Sequence, residues 1–207
     1  MPRRPLVTPR KRASQARSRA TVEALVEATA RILVRDSFDG ASTNRIAAEA
    51  GVSIGSLYQY FPSKEALVAA VIERHKQELM KVARGTLAKV AKLPLEEAVR
   101  RFVEMAIKAH RVNPKLHRVL AEQIPRTGKQ KDIETFDREN YALFRAYLVD
   151  HRDEIRSLDL EVAAFVCVTS IEALTHAAIL HRLDIPPDQL LPTLVDEGTR
   201  LVVQYLR

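Results

Sequence analysis

Residues 43–64 read TNRIAAEAGVSIGSLYQYFPSK. They divide into two short helices joined by a tight turn, followed by the start of a longer helix. Ser42 is placed to cap the first of these, its hydroxyl accepting a bond from a first-turn N–H. Three residues on stands Arg45 instead of Glu, so no capping box forms. Ile46, Ala47 and Ala50 supply the buried side. Gly51 then stops the helix in a left-handed cap, and Val52 folds back onto the core. Ser53 caps the next helix, Ile54–Phe61. Pro62 ends it, and Ser63 caps a fourth helix with Leu67, Val71, Ile72, His75 and Leu79 as its apolar seam. This is the layout of a helix-turn-helix whose second helix lies in the DNA major groove.

The wheel of residues 54–61 separates two surfaces. Leu57 and Phe61, four apart, face the core, while Gly55, Ser56 and Gln59 fall on the opposite side. Gly55 lets backbone approach a groove floor without a Cβ. Gln59 offers one donor and one acceptor, the pairing an amide makes with adenine. Tyr58 and Tyr60 flank this face, within reach of phosphates on either wall. Ile54 is open to two readings, core packing or contact with a thymine methyl. Helix N-termini attract anions, and three cluster here, after Ser42, Ser53 and Ser63. Thr43, Arg45 and Lys64 lie in the first turns, placed to hold phosphates.

Outward toward the N-terminus, Val22, Leu25, Val26, Thr29, Ile32 and Leu33 recur at helical spacing from about Arg19, and Gly40 reads as the stop. Residues 1–18 read as a disordered arm. The formal net charge is +7, and the seven cations Arg3, Arg4, Arg10, Lys11, Arg12, Arg17 and Arg19, with no acid among the first nineteen residues, match that surplus. A basic arm ahead of a DNA-reading unit suits a phosphate backbone, the alternative being a solubilising tail. Toward the C-terminus, helices are expected at 80–92, 95–112, 114–123, 130–151, 159–182 and 188–206. The breaks are Pro94, Asn113-Pro114, Pro125 to Gly128, Ser157 to Asp159 and Asp184 to Pro187.

The composition agrees with an all-helical protein. Apolar residues are 46%, aromatics 5%, charged residues 29%, and there are six glycines. The one cysteine, Cys167, cannot form an internal disulfide, which points to a reducing compartment. The longest unbroken apolar run, Val162–Val168, is too short to span a bilayer. No signal-peptide core follows the basic start. The expectation is a cytoplasmic protein with no membrane partner.

At this point the text resembles the TetR/AcrR transcriptional regulators. The matching residues are Ser42-Thr-Asn-Arg-Ile-Ala47, Ala50-Gly-Val-Ser53, Gly55-Ser-Leu-Tyr-Gln-Tyr-Phe61, Lys64 and Leu67, without a gap over about residues 20–67. The resemblance implies a three-helix DNA-binding domain and a larger helical domain that dimerises and often binds a small molecule, about nine helices in all. It implies that Thr43 and Lys64 contact phosphates and that Tyr58 and Tyr60 match backbone-contacting positions. Ile54, Gly55, Ser56 and Gln59 match groove-facing ones, and Arg45 a position that sometimes reaches a base. The expected domains are the arm 1–18, a helix-turn-helix domain 19–65 and a dimerisation and effector domain 66–207.

The C-terminal half carries its own signals. Ala163, Ala164, Ala173, Ala177 and Ala178 on one helix, and Leu190, Leu191, Leu194, Val195, Leu201, Val202 and Tyr205 on the next, read as a two-fold dimer surface. Gly198 costs about 1 kcal/mol inside that last helix, which a close helix crossing would offset. Thr169, Glu172 and His176 share a face of an otherwise apolar helix, either paired structurally or lining a ligand cavity. Glu172 and His176 at i and i+4 are a weak pattern for a metal, and none is expected. His110 and His117 flank the Asn113-Pro114 break, as pocket residues or partly exposed histidines. Arg126 to Lys131 reads as a solvated basic loop.

No nucleophile–base pair, metal cluster or phosphate-binding glycine loop appears, so neither an enzyme nor a cofactor is expected. The reading is a homodimeric repressor released from a palindromic double-stranded DNA operator by a small-molecule ligand. The alternative is a constitutive DNA-binding activator or architectural protein without an effector.

Overall fold

A computed structural model describes residues 16–111, 113–127, 130–180 and 187–207. Among these are nine α-helices: α1 (Ala16–Gly40), α2 (Thr43–Glu49), α3 (Ile54–Tyr60), α4 (Lys64–Val90), α5 (Leu95–Arg111), α6 (Pro114–Thr127), α7 (Gln130–Asp150), α8 (Leu160–Leu180) and α9 (Pro187–Leu206). A single 3-10 turn, Arg152–Glu154, precedes α8. No strand occurs among the described residues, so the all-α expectation holds. The basic arm lies outside them except for Ala16–Ser18, which are already helical. Most of the expected break at Asp184–Pro187 and the centre of the basic loop at 126–131 also lie outside.

One expectation about element ends changes. The segment expected as a separate helix at 80–92 is the continuation of α4. No proline interrupts it, and Gly85 alone does not stop a helix that is by then about six turns long. α1 ends at Gly40 as expected, though without a positive φ there, and a kink lies inside its last turn at Ser37, with φ +59° and ψ −176°. That region of backbone space costs a non-glycine residue about 1–3 kcal/mol, so this corner is strained. The capping signals are met as expected. Ser42 Oγ accepts from Arg45 N at 3.3 Å, Ser53 Oγ from Ser56 N at 3.1 Å and Ser63 Oγ from Ala66 N at 3.2 Å. Gly51 stands at φ +68°.

The chain forms two compact units. The first holds α1 to α3, α4 as far as Lys76, and most of α6. Its core is Leu25, Ile32, Leu33, Ile46, Leu57, Phe61, Leu67, Val68 and Val71, with Leu116 and Leu120 of α6 added. The expected boundary at 65/66 therefore falls inside this unit, because the apolar seam of α4 continues the same core and α6 packs on it.

The second unit holds the rest of α4 with α5, α7, α8 and α9. Phe102 meets Phe144 and Tyr147 edge-on, with ring centroids 5.2 and 6.0 Å apart. Its helix ends are tied by side chains. Glu154 Oε2 accepts from Leu95 N at 2.9 Å at the start of α5, and Asp159 Oδ1 accepts from Glu161 N at 2.9 Å at the start of α8. Arg156 donates from its backbone N to Leu206 O and from Nε to Tyr205 O, both at 2.9 Å, at the negative end of α9. Gly198 is buried with Val103 of α5 close by: an added Cβ would sit 3.3 Å from Cγ1. The close crossing that this glycine permits is thus within the chain. Cys167 is buried in this core, where burial pushes its thiol up to about 12.

Candidate nucleic-acid interface

In the first unit α2 and α3 stand as a helix-turn-helix with one face sealed and one open. Leu57 and Phe61 are buried at 0% and 1%, while Gly55 and Gln59 on the other side are exposed. A Cβ on Gly55 would meet only Ser53 Oγ, at 3.9 Å. Nothing among the described residues therefore demands glycine at that position. Ile54, ambiguous on the wheel, is 39% exposed and stands at the rim of this face, free of the core. Ser56 is half-buried, with its hydroxyl 2.9 Å from that of Ser53.

Beside this face the hydroxyls of Thr43 and Tyr58 lie 3.1 Å apart, joining the first turn of α2 to the middle of α3. Tyr58 is exposed and Thr43 half-buried. Two adjacent hydroxyls of this kind can each donate to one phosphate oxygen pair. A separation of fifteen residues carries no periodic signal, so the sequence did not foretell their meeting.

Three expected contacts are placed differently. Tyr60, expected to flank the face, is only 8% exposed and belongs to the core. It is the last residue of α3, and the chain turns to extended backbone at Phe61, so both neighbouring aromatics pack inward. Lys64 donates from Nζ to the carbonyls of Phe38 at 2.9 Å and Ala41 at 3.1 Å. Arg45 donates from Nη1 to Gly40 O and from Nη2 to Asp36 Oδ2, each at 2.6 Å. Both cations are thus engaged on the corner between α1 and α2.

Ion pairs surround that corner. Asp36 Oδ2 also receives Arg35 Nε at 3.0 Å. Glu49 takes Arg31 at 3.0 Å and Arg35 at 3.5 Å, and the Arg31 hydrogen bond holds its carboxyl below the ordinary value. Each pair is solvent-facing and worth little alone. Together they fasten α1 to α2. Asp36 was not singled out in the sequence, since its nine-residue separation from Arg45 matches no helical spacing.

The expected effector residues do not form one cluster. His117 is in the first unit, where its Nδ1 lies 3.2 Å from His75 Nε2. His110, Thr169, Glu172 and His176 belong to the second. The rings of His110 and His176 meet edge to face at 5.9 Å. Burial lowers the His110 pKa, opposed by a 2.7 Å hydrogen bond between Nδ1 and Ala106 O. Glu172 Oε1 accepts from Asn140 Nδ2 at 2.7 Å, and the Thr169 hydroxyl is 3.4 Å from that of Tyr141. Among the described residues no group of three or more His, Cys, Asp or Glu is arranged to hold a metal.

The second unit also carries an open apolar stripe. On α8, Val162, Phe165, Thr169, Ala173 and Ala177 are exposed at intervals of three and four residues, and Leu174 adds to them. Leu201 of α9 is 46% exposed. Ala163, Ala164 and Val202, expected on a dimer surface, are instead buried in this unit's own core. Residues Leu160–Ala178 are long and apolar enough to cross a membrane by length and composition, a property the unbroken run Val162–Val168 did not reveal because Thr169, Ser170 and Glu172 interrupt it.

Two family models match the chain. "Bacterial regulatory proteins, tetR family" matches residues 25–71, and "Tetracyclin repressor-like, C-terminal domain" matches residues 94–206. The nucleoid occlusion factor SlmA of Haemophilus ducreyi is 38% identical over 79 residues, a match spanning 38% of this chain and 38% of that protein's length. A TetR-family transcriptional regulator from Mesorhizobium loti has the same fold, with TM-score 0.71 at 18% identity over 92% of this chain and 98% of that one. A transcriptional regulator from Pseudomonas aeruginosa aligns with TM-score 0.69 at 25% identity, covering 95% and 98% of the two chains.

Proposed function

Because the chain belongs to the TetR family of DNA-binding transcriptional regulators, we propose that it acts as a homodimeric repressor that leaves a palindromic operator when a small molecule binds its second unit. One observation carries the DNA-reading part: α3 turns a glycine and an amide outward while its apolar pair is sealed beneath. In this reading Gly55 lies against the groove floor, Gln59 pairs with an adenine and Ile54 touches a thymine methyl. Ser42, Thr43, Ser53, Ser56 and Tyr58 border the groove, with Thr43 and Tyr58 on a phosphate.

The dimer reading rests on the exposed stripe of α8 with Leu201 of α9. A second copy across a two-fold axis covers it and presents two reading heads to two half-sites. The same covering suits a protein that works in the cytoplasm, with α8 facing a partner helix and not lipid. The effector reading is supported by half-buried His110, Glu172 and His176 in the second unit. A ligand that binds one spacing of the heads more tightly than another shifts the operator equilibrium by that difference. Constitutive binding is the second reading, favoured by one observation: Glu172 and Thr169 already have Asn140 and Tyr141 as partners.

The test begins with a duplex selected by the protein from a random library. Gln59→Ala is expected to weaken binding to it by about 1–3 kcal/mol and to relax preference at one base pair. Unchanged affinity and preference would remove Gln59 from the reading face. A compound that both raises Tm and releases the duplex would separate the ligand-controlled reading from the constitutive one.

A further inference from the structure

A carboxylate stands beside the first turn of α2, where Arg45 is placed to meet a phosphate. Asp36, near the end of α1, accepts at Oδ2 from Arg45 Nη2 at 2.6 Å and from Arg35 Nε at 3.0 Å. Its side chain is mostly covered, while about half of Arg45 is open. An acid in this place repels a phosphate backbone, so attraction to DNA does not account for it. Its effect on Arg45 does. Nη2 is held by Asp36, and Nη1 donates to the Gly40 carbonyl at 2.6 Å. Two acceptors on different nitrogens of a planar fork fix its plane and direction as well as its position. The N–H groups not spent on these acceptors remain for a phosphate.

The surroundings fit this arrangement. A Cβ on Gly40 would stand 3.0 Å from the Asp36 Cβ and 4.0 Å from Arg45 Nη1, so a side chain there would crowd the pair. Arg35, which braces Asp36, also reaches Glu49 Oε2 at 3.5 Å. The acid is thereby tied to both α1 and α2.

We propose that Asp36 is a positioning residue for DNA recognition: it orients the Arg45 guanidinium so that the remaining donors meet a phosphate in one placement of the duplex. This role rests on the DNA-binding reading above. Phosphate contacts set the register on which base contacts depend. Without Asp36, Arg45 keeps its charge and still attracts any duplex, but swings on a flexible stem and favours no single register. Asp36 thus lowers attraction to DNA in general and raises discrimination.

The measurement is binding of the full chain to the duplex it selects and to a scrambled duplex across a salt series. The proteins are wild type, Asp36→Ala, Asp36→Asn, Arg45→Ala and the double variant Asp36→Ala with Arg45→Ala. Arg45→Ala should make the slope of log K against log salt shallower by about 0.9, one phosphate contact. Asp36→Ala should keep the wild-type slope while its selected-to-scrambled ratio falls about fivefold or more. Asp36→Asn, whose amide oxygen still accepts from the guanidinium, should recover most of that ratio. Once Arg45 is alanine, Asp36→Ala should change the ratio no further, since the two residues act as one unit. An equal fall with and without Arg45 overturns the proposal, because Asp36 would then act only by holding α1 to α2. An unchanged ratio with only a lowered Tm overturns it as well. A wild-type slope in Arg45→Ala removes the phosphate contact, and the proposal with it. Should Asp36→Ala fail to fold, Asp36→Ser, whose hydroxyl is too short to reach Arg45, carries the same comparison. Absence of any duplex preference in wild type would instead defeat the DNA-binding reading itself.

Discussion

Phe165 offers the sharpest test of how the second unit is completed. Its ring is 51% exposed in the single chain. An aromatic side chain buries about 150–250 Å² when covered, so about 100 Å² remains open on Phe165. At about 25 cal/mol per Å², covering it contributes about 2.5 kcal/mol per protomer. A two-fold interface counts that twice, about 5 kcal/mol in all. Since 1.4 kcal/mol is tenfold in affinity and alanine retains part of the covered area, Phe165→Ala should weaken dimerisation by about a thousandfold. Within the chain the ring meets Tyr141 edge-on at 5.5 Å, worth about 0.5–1.5 kcal/mol, so the variant should fold with a modestly lower Tm. Sedimentation equilibrium over a dilution series measures the association. Val149→Ala is the control, since Val149 is 46% exposed on α7 and lies off the stripe. Equal dissociation constants for Phe165→Ala and wild type would refute the assignment of this face to a second copy.

Two further outcomes follow from single positions. Gly51 has φ +68° with nothing within 4 Å of an added Cβ, so Gly51→Ala should cost about 1 kcal/mol of backbone strain and no clash; an unaltered denaturant midpoint would contradict the left-handed turn. Burial depresses the His110 pKa below 6.5, so its neutral form contributes stability above that pH which is lost as pH falls toward the native value. The stability difference between wild type and His110→Gln should therefore shrink from pH 7.5 to pH 5, and a difference constant with pH would count against it.

The sequence made the reading unit legible because its signals are local. A serine ahead of each helix, one glycine at the turn and an apolar pair four residues apart act within a few positions, and Ser42, Ser53, Ser63, Gly51, Leu57 and Phe61 are placed as expected. Tyr60 was misplaced because a wheel assumes that the helix continues, whereas α3 ends there. The inward turn of Arg45 and Lys64 depended on Asp36, Phe38 and Ala41, partners 9, 26 and 23 residues away. No periodicity encodes such distances. In the second unit the helices were legible from their breaks, but not which alanines face inward. Ala163 and Ala164 look the same in sequence as Ala173 and Ala177, and only packing against α5 and α9 separates them.

The chain's one sulfhydryl, Cys167, is packed away and kept protonated far above neutral pH. Maleimides and methanethiosulfonates react through the thiolate, so the native protein should stay nearly silent toward them. Any cysteine introduced at an open site of the first unit away from the reading face, such as Glu23 of α1, then becomes the sole target without first stripping out the natural one. Spin or fluorophore pairs installed that way would let the span between two reading heads be followed by dipolar spectroscopy or energy transfer, with and without duplex, in otherwise unaltered protein.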